Sequence, residues 1–456
     1  MASVVKEVWP WEDKYGDYAL VPVPKKETRS LLTMFYTYTG VLCCIAALWG
    51  GSVLGLQFYL KDAIWVAVVG SAILAVIGAL TAPIGGISRC STYVNLRPAF
   101  GNVGSQVWGT IVSGIPALGW FTVQTWLFGV ILSTIFPEAA WASVFWASIW
   151  GGILMLITAY VGFRGLAFFS YLAVPFFMLL AGFGVMIGVQ KGGGFAGLAS
   201  IAPVSPASFS VGVTEVVGMY IVGAIITADI CRYAKKIWHG ATAWVIQLMI
   251  LQVYMLTGAA MITLVTGEAN IAGALLAGGA GIGAFLMAIL GQWSTNDNNI
   301  YSTSLAINLW LPIQRKYIVL IAGAIGVALA AVIARVWGTA MEPFQAFLTL
   351  LGTFLPAAGG VLIADFWLYR WYKRVPFRER YQFQPGMKFA QVNWIGWLSA
   401  IVATVLGKWV IPESWGIMSL TCLILGVVLY IVIGIACDKA GAKMDLGEHT
   451  IDKTGA

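Results

Sequence analysis

Twelve apolar stretches divide this 456-residue chain, and each is long enough to cross a bilayer. An α-helix needs about 20 predominantly apolar residues to span the hydrocarbon core. Only 10% of the residues are charged, whereas a soluble domain carries about 25%. The sequence therefore predicts an all-α integral membrane protein with about twelve transmembrane helices. The predicted spans are 33–57, 64–85, 106–135, 141–163, 166–190, 209–232, 241–266, 276–306, 316–336, 342–368, 390–410 and 414–437.

The basic residues predict how the chain is oriented. If the N-terminus lies in the cytoplasm, only four of the 26 Lys and Arg residues fall outside: Lys61, Lys191, Arg335 and Lys408. Such an excess of inside charge follows the positive-inside rule. We therefore expect a multi-pass protein of the plasma (inner) membrane with both termini in the cytoplasm. The net charge of +7 is spread over the loops, so the bilayer is an expected partner and nucleic acid is not.

The first and sixth spans carry signs of interrupted helices. The first contains Gly40 and a Trp49-Gly50-Gly51 group followed by Gly55; the sixth contains Gly212, Gly218 and Gly223 on either side of Met219-Tyr220. Unwound turns at mid-depth offer backbone groups to a polar solute, although glycines in membrane helices also serve close packing. Spans 1 and 6 run in opposite directions, the layout of a five-plus-five inverted repeat.

This layout predicts the domain organisation, although the sequence itself contains no convincing internal repeat. Residues 1–30 form a cytoplasmic tail, 31–190 the first repeat, and 205–370 the second repeat. Residues 388–438 form two additional helices, and 439–456 a second cytoplasmic tail. The prediction rests on topology alone.

The eighth span contains a polar run, Ser294-Thr295-Asn296-Asp297-Asn298-Asn299. Polar side chains at membrane depth are costly unless something hydrophilic meets them. At 100° per residue, Gly291, Ser294, Thr295, Asn298 and Ser302 share a stripe roughly 80° wide, and Asp297 points away from it. The carbonyl and hydroxyl oxygens of this stripe suit sodium. Alternatively, the hydroxyls bond back to their own helix.

The third span contains Gly119-Trp120-Phe121, with Gln124 one turn beyond Trp120. An indole stacks on planar heterocycles, and an amide at i+4 lies beside it with donors and an acceptor. This pair predicts a site for a planar, amide-bearing ring. Trp120 in a packing role is the alternative, since the chain has 21 tryptophans.

Acidic residues inside the predicted spans are few. Asp229 and Asp365 lie near cytoplasmic ends, close to Arg232 and Arg370, which predicts structural or gating ion pairs rather than a proton relay.

Two further acidic residues, Glu215 and Asp297, lie at membrane depth, the sequence does not identify their partners, and either could titrate during transport. The only histidines, His239 and His449, are in cytoplasmic segments. We therefore expect neither a histidine metal site nor an enzyme.

Four motifs together resemble the nucleobase:cation symporter family 1, especially its cytosine permease-like branch. They are Gly119-Trp120-Phe121 in span 3, Thr227-Ala228-Asp229 with Arg232-Tyr233 in span 6, Trp293-Ser294-Thr295-Asn296-Asp297-Asn298 in span 8, and Gly359-Gly360-Val361-Leu362-Ile363-Ala364-Asp365 in span 10. The resemblance implies a LeuT-type fold with helices 1 and 6 broken and two additional helices. It also implies alternating-access symport of a planar nitrogen heterocycle.

The resemblance also implies roles for individual residues. Trp120 matches a stacking tryptophan, Tyr220 an aromatic that covers the other face of the ligand, and Gln124 a glutamine that bonds substrate in the hydantoin branch. Asn298 or Asn299 would supply a second amide. The sodium site would comprise the carbonyls of Cys44, Ala47 and Gly291 and the hydroxyls of Ser294 and Thr295.

Three positions depart from the cytosine permeases and bear on the substrate. Met219 and Val222 replace serines, and Gln124 replaces a glycine, so a purine, a hydantoin or a substituted pyrimidine fits the lining at least as well as cytosine. We expect a secondary transporter importing such a ring, with sodium as coupling ion and no other cofactor. A proton-coupled symporter of a similar heterocycle or vitamin precursor, and a channel or non-transporting receptor, are the alternatives. The sequence does not determine the oligomeric state.

Overall fold

The computed structural model describes residues 18–441, apart from positions 162, 269, 312, 341, 384–386 and 388. Positions 1–17 of the predicted N-terminal tail (residues 1–30) lie outside the described residues. Positions 442–456 of the predicted C-terminal tail (residues 439–456) also lie outside them. Twelve long helical segments cross the described part. They are α1 (Leu31–Leu42 and Ile45–Gln57), α2 (Leu60–Ser88), α3 (Asn102–Ile135), α4 (Val144–Val161), α5 (Phe163–Lys191), α6 (Phe209–Cys231), α7 (His239–Thr266), α8 (Gly281–Asn308), α9 (Arg315–Val336), α10 (Phe344–Tyr372), α11 (Trp394–Val410) and α12 (Met418–Lys439).

These helices coincide one for one with the predicted spans, with ends displaced by a few residues. Within the described chain, eight are long and apolar enough to cross a membrane, and the bent pair that forms α1 makes a ninth. Helices α4 and α11 contain shorter apolar segments, Val144–Ile157 and Trp394–Val410. The polar run lies inside α8. The all-α membrane architecture is confirmed.

Helix α1 is interrupted at Cys43-Cys44. Cys43 has ψ of 75°, and Cys44 is extended with φ −136° and ψ 165°. The first half, Leu31–Leu42, and the second half, Ile45–Gln57, meet at an angle of 56°. Because the two cysteines leave helical geometry, the regular hydrogen-bond ladder is interrupted here, and Cys44 N–H donates instead to the Leu42 carbonyl at 2.8 Å.

Helix α6 is interrupted at Ile226, which separates Phe209–Ile225 from the short helix Thr227–Cys231. The expectation that glycines mark the two breaks was therefore wrong, because α6 runs unbroken through Met219-Tyr220. A Cβ at Gly55 would lie 2.6 Å from the Ala260 carbonyl oxygen of α7, and one at Gly218 would overlap the Leu348 carbonyl oxygen of α10. These glycines allow close helix packing instead.

The packing of α1–α5 is repeated by α6–α10. Helix α1 packs on α5 and α7, and α6 packs correspondingly on α10 and α2. Helix α4 contacts α3, and correspondingly α9 contacts α8. Equivalent helices of the two halves also contact each other, α3 with α8 and α4 with α9. Each contact thus has a counterpart five helices further on, which is the pattern of a repeated five-helix unit. Helices α11 and α12 lie outside this unit, where α12 packs against α10 and α11.

The Asp365 carboxylate joins α10 to α12 and to the loop between α10 and α11. It accepts from Arg370 Nε at 3.1 Å, from the Tyr381 hydroxyl at 2.6 Å and from the Tyr430 hydroxyl at 2.7 Å. The predicted Asp365–Arg370 ion pair is confirmed. Burial, followed by the neighbouring carboxylate, raises the pKa of Tyr381 in the loop well above its usual value, so its hydroxyl stays protonated and donates.

The segment before α1 is bonded to the ends of α2 and α6. Val23 N–H donates to the Arg89 carbonyl at 2.9 Å, and Ser91 Oγ donates to the Ala19 carbonyl at 3.0 Å. Arg29 pairs with the chain after α6, since its N–H donates to the Tyr233 carbonyl at 2.6 Å. The leading segment is therefore part of the folded structure at this end of the bundle.

Candidate functional site

A cavity with about 500 Å³ of empty volume, including the space open to solvent, lies between α1, α3, α6 and α8. All six residues predicted to contact substrate line it, together with three of the predicted sodium ligands. The lining residues are Val41, Leu42, Cys44, Ala46, Ala47, Trp120, Gln124, Met219, Tyr220, Val222, Gly223, Ile226, Thr295, Asn298 and Asn299. Their role in binding stays a prediction, but the structure brings them together.

Helix α3 supplies an aromatic plate and an amide. The Trp120 ring is held edge-on by two α10 phenylalanines, with ring centroids 6.2 Å from Phe344 and 5.1 Å from Phe347. Gln124 is 1% exposed, and its Oε1 has no hydrogen-bond partner among the described residues. A buried acceptor without a partner costs about 1–3 kcal/mol. A ligand donor in the cavity would remove that cost.

Helix α6 supplies Met219 and Tyr220. The Tyr220 hydroxyl donates to the Tyr38 carbonyl at 3.2 Å, and its ring lies 5.0 Å from that of Trp244 on α7. Met219 packs against Gly50 of α1, where a Cβ would overlap its terminal methyl group. Sequence reasoning missed Trp244 as the support for Tyr220, because nothing distinguishes it from the other 20 tryptophans until α7 is placed.

Helix α8 supplies three asparagines with different surroundings. Asn296 Nδ2 donates to Thr125 Oγ1 at 3.1 Å and lies 3.4 Å from the Phe121 carbonyl, which ties α8 to α3. Asn299 Nδ2 donates to Asn296 Oδ1 at 3.3 Å. Asn298 lines the cavity and makes no described hydrogen bond. The sequence left open which of Asn298 and Asn299 contacts substrate; the geometry favours Asn298.

The break in α1 faces Thr295 of α8. Thr295 Oγ1 lies 3.0 Å from the Val41 carbonyl oxygen and 3.2 Å from the Gly291 carbonyl oxygen. Cys44 and Ala47 line the adjacent cavity, and the side chain of Ser294 lies outside the described part. The structure thus adds the Val41 carbonyl, which the sequence analysis did not include. Among the described residues, no group of three His, Cys, Asp or Glu side chains could hold a metal ion.

A smaller cavity of about 230 Å³ adjoins the first and shares Val41, Tyr220 and Asn298 with it. Asp229 and Tyr38 also line this space. Its position next to the larger cavity makes it a candidate passage.

Asp229 lies at the end of this passage in a hydrogen-bonded cluster. Asp229 Oδ1 accepts from Thr92 N–H at 2.7 Å, while Arg232 Nε donates to the main-chain carbonyl of Asp229 at 3.1 Å. Arg232 also donates to the Tyr18 carbonyl and to the Tyr301 hydroxyl at 2.7 Å. The cluster therefore links α6 to α8 and to the leading segment, and a gating role for Asp229 stays a prediction.

The remaining predicted residues lie away from the cavity lining. Glu215 is buried one turn before Met219, with Gln57 of α1 as its neighbour. Asp297 is also buried but is not among the lining residues. The Ser302 carbonyl accepts from the Tyr93 hydroxyl at 2.7 Å, so this part of the predicted stripe joins α8 to the segment before α3.

Residues 21–434 match the model of a family described as permease for cytosine/purines, uracil, thiamine, allantoin. This chain is a member of that permease family. The Escherichia coli (strain K12) cytosine permease is similar to it, with 26% identity over 422 residues that cover 92% of this chain and 94% of the relative. The cytosine permease of Escherichia coli O157:H7 matches to the same extent. The chain is therefore a permease and not an enzyme.

Solved structures share the fold of this permease. Mhp1, a nucleobase-cation-symport-1 family transporter in a closed conformation with bromovinylhydantoin bound, superposes with a TM-score of 0.76 at 19% identity, covering 92% of this chain and 95% of Mhp1. An outward-open Na⁺-coupled sialic acid symporter superposes with a TM-score of 0.60 at 14% identity, covering 94% and 95%. These similarities confirm the predicted LeuT-type fold with its repeated five-helix unit.

Proposed function

We propose that this permease imports a nucleobase or a related planar nitrogen heterocycle by sodium-coupled, alternating-access symport. The observation that carries the proposal is the cavity itself, in which the Trp120 indole and the Gln124 oxygen lie on α3 and the Asn298 amide on α8. A flat ring could stack on the indole while its N–H and C=O groups bond to the two amides. Purines, pyrimidines and hydantoins all have this chemistry.

Sodium binding is proposed beside the break in α1. The carbonyl end of a half-helix carries partial negative charge, which favours a cation. Here the end of the first half of α1 meets Thr295 and Gly291 of α8. In place of the Thr295 hydrogen bonds, a sodium ion would bind hydroxyl and carbonyl oxygens from both helices. Because Thr295 is one turn from Asn298, the ion and the substrate would each tighten the binding of the other by the same factor.

The proposal includes the direction of transport and the membrane in which the protein lies. Both termini would be cytoplasmic in the plasma (inner) membrane, with the Asp229–Arg232 end facing the cytoplasm. Substrate would enter from the opposite side and leave through the smaller cavity past Asp229.

The proposal is tested by thermal-shift screening of the purified protein. The melting temperature is measured with each purine, pyrimidine, hydantoin and vitamin precursor, with and without sodium. Uptake of the ligand that stabilises the protein most is then measured in proteoliposomes. We expect stabilisation that needs sodium and uptake that follows a sodium gradient. Uptake that ignores sodium but collapses with the proton gradient would favour the proton-coupled alternative. Uptake that is not accelerated by substrate loaded on the opposite side would favour a channel.

We predict that Asn298→Ala weakens binding of the best ligand from that screen more than Asn299→Ala does. Loss of one neutral hydrogen bond costs about 0.5–1.5 kcal/mol, which is about a 2- to 12-fold increase in Kd for Asn298→Ala. Asn299 already bonds to Asn296, so its replacement should affect melting temperature more than Kd. Calorimetric titration of both variants measures this difference, and an equal loss of affinity would contradict the assignment.

We predict that Thr295→Val removes the sodium effect while leaving sodium-free binding unchanged. Valine keeps the shape of threonine but lacks the hydroxyl oxygen that would bind the ion. Thr404→Val is the matched control, because the Thr404 hydroxyl in α11 bonds to the Ala400 carbonyl of its own helix at 2.9 Å. Binding is measured across a sodium titration. Sodium dependence that survives in Thr295→Val would exclude this residue as a ligand.

A further inference from the structure

Glu215 and Gln57 form an isolated polar pair between α6 and the second half of α1. Gln57 Nε2 lies 3.5 Å from Glu215 Oε1, and both side chains are buried, at 7% and 5% exposure. The other two oxygens, Glu215 Oε2 and Gln57 Oε1, have no hydrogen-bond partner among the described residues. The pair therefore leaves two acceptor oxygens without a donor.

No charge in the surrounding helices compensates an ionised Glu215. Helix α1 and residues 344–363 of α10 contain no Asp, Glu, Lys, Arg or His, and neither do residues 63–88 of α2. Lys61 and Asp62 at the start of α2 are exposed. None of the described ion pairs includes Glu215.

The other titratable groups of the neighbouring helices lie elsewhere. Cys44 and Tyr38 of α1 precede Gln57 by 13 and 19 residues, which is at least about 20 Å along a helix. In α12, Tyr430 bonds to Asp365, and Cys422 packs on Gly407 of α11. An ionised carboxylate buried without a partner costs several kcal/mol.

A proton on Glu215 satisfies every leftover group of the pair. The neutral acid donates its O–H to Gln57 Oε1 while Gln57 Nε2 donates to the other carboxyl oxygen, so the two side chains form a reciprocal acid–amide pair. In the ionised form neither Glu215 Oε2 nor Gln57 Oε1 has a donor among the described residues, and such unpaired groups are costly in a low-dielectric interior.

We propose that Glu215 is a proton-binding site whose proton locks the second half of α1 to α6. This lock lies next to the cavity, because Glu215 is one turn from Met219, which packs on Gly50 of the same α1 segment. A bound proton would hold the two helices together, and loss of the proton would let them part and admit water. The proton-dependent lock is independent of which coupling ion is used; only its effect on uptake rests on the proposed transport function.

The proton site is tested by infrared titration of the purified full-length protein without substrate or sodium. We expect a protonated-carboxyl absorption near neutral pH that disappears in Glu215→Gln. It should persist in Asp62→Asn, which removes an exposed carboxylate near the same end of the bundle. Identical carboxyl absorption of the parent and Glu215→Gln at every pH would overturn the proposal, whether or not the protein transports a base.

A second variant tests the partner and covers the case in which Glu215→Gln does not fold. Gln57→Leu retains the acid but removes the amide, so the carboxyl absorption should shift to the position of an acid with weaker hydrogen bonds. An unshifted absorption would overturn the lock.

The effect on uptake is measured with the best ligand from the screen. The parent's apparent affinity should fall by up to about tenfold per pH unit as Glu215 ionises. Glu215→Gln keeps a two-bond amide pair with Gln57 and should lose most of this dependence. Retention of the full pH dependence in a folded Glu215→Gln would overturn the role in transport.

Discussion

Trp120→Ala is expected to weaken ligand binding strongly. Aromatic stacking on a base contributes about 1–3 kcal/mol, so the Kd should rise by roughly 5- to 150-fold. Trp120 is 6% exposed and lines the cavity from α3. Trp120→Phe should recover part of the affinity, because a smaller ring still stacks. Calorimetric titration with the best ligand measures both variants.

The matched control for this variant is Trp65→Ala in α2, which removes an indole that is 54% exposed and does not line the cavity. Its Kd should equal that of the parent. If Trp120→Ala binds as tightly as Trp65→Ala, the indole packs against Phe344 and Phe347 for structural reasons alone, and the proposed binding mode is wrong.

Gly218→Ala is expected to destabilise the protein by forcing α6 and α10 apart. The added methyl group would overlap the Leu348 carbonyl oxygen of α10, and a backbone atom cannot rotate away as a side chain can. Overpacking of this kind typically costs about 1–3 kcal/mol. Helices α6 and α10 would have to separate, which would also move Met219 and Tyr220 in the cavity wall. Melting temperature and the yield of monodisperse protein measure the effect.

Gly273→Ala is the control for that loss of stability. A Cβ at Gly273 would be 3.4 Å from Glu268 Oε2, the end of a flexible side chain. Because alanine favours helix over glycine, this variant should be neutral or slightly stabilising. Equal melting temperatures for Gly218→Ala and the parent would mean that the α6–α10 contact relaxes freely.

The sequence predicted the helices and the composition of the cavity wall well, because both depend on local patterns. Apolar stretches define the helices through their length, and the Trp120–Gln124 spacing places both side chains on one side of α3. The polar run of α8 likewise predicted an oxygen-bearing surface, and Thr295 and Asn298 lie on the cavity.

Features that depend on neighbouring helices were not predictable from the sequence. The break in α1 falls at Cys43-Cys44, two residues with no special preference for unwound backbone, while the glycines thought to mark it serve packing on α7. Asn298 and Asn299 are chemically identical, and only the position of Asn296 shows which of them is already bonded. Gln57 as the partner of Glu215 requires the placement of α1 beside α6.

The bonds between the leading segment and the end of α6 couple the start of the described chain to the proposed passage. Arg29 is joined to the chain on both sides of Ala234, because the Tyr233 carbonyl accepts from its N–H and Lys235 N–H donates to its carbonyl. Any tilt of Thr227–Cys231 that opens the passage must either carry these residues along or sever their bonds. Deletions that reach Arg29 would thus alter how readily the passage opens.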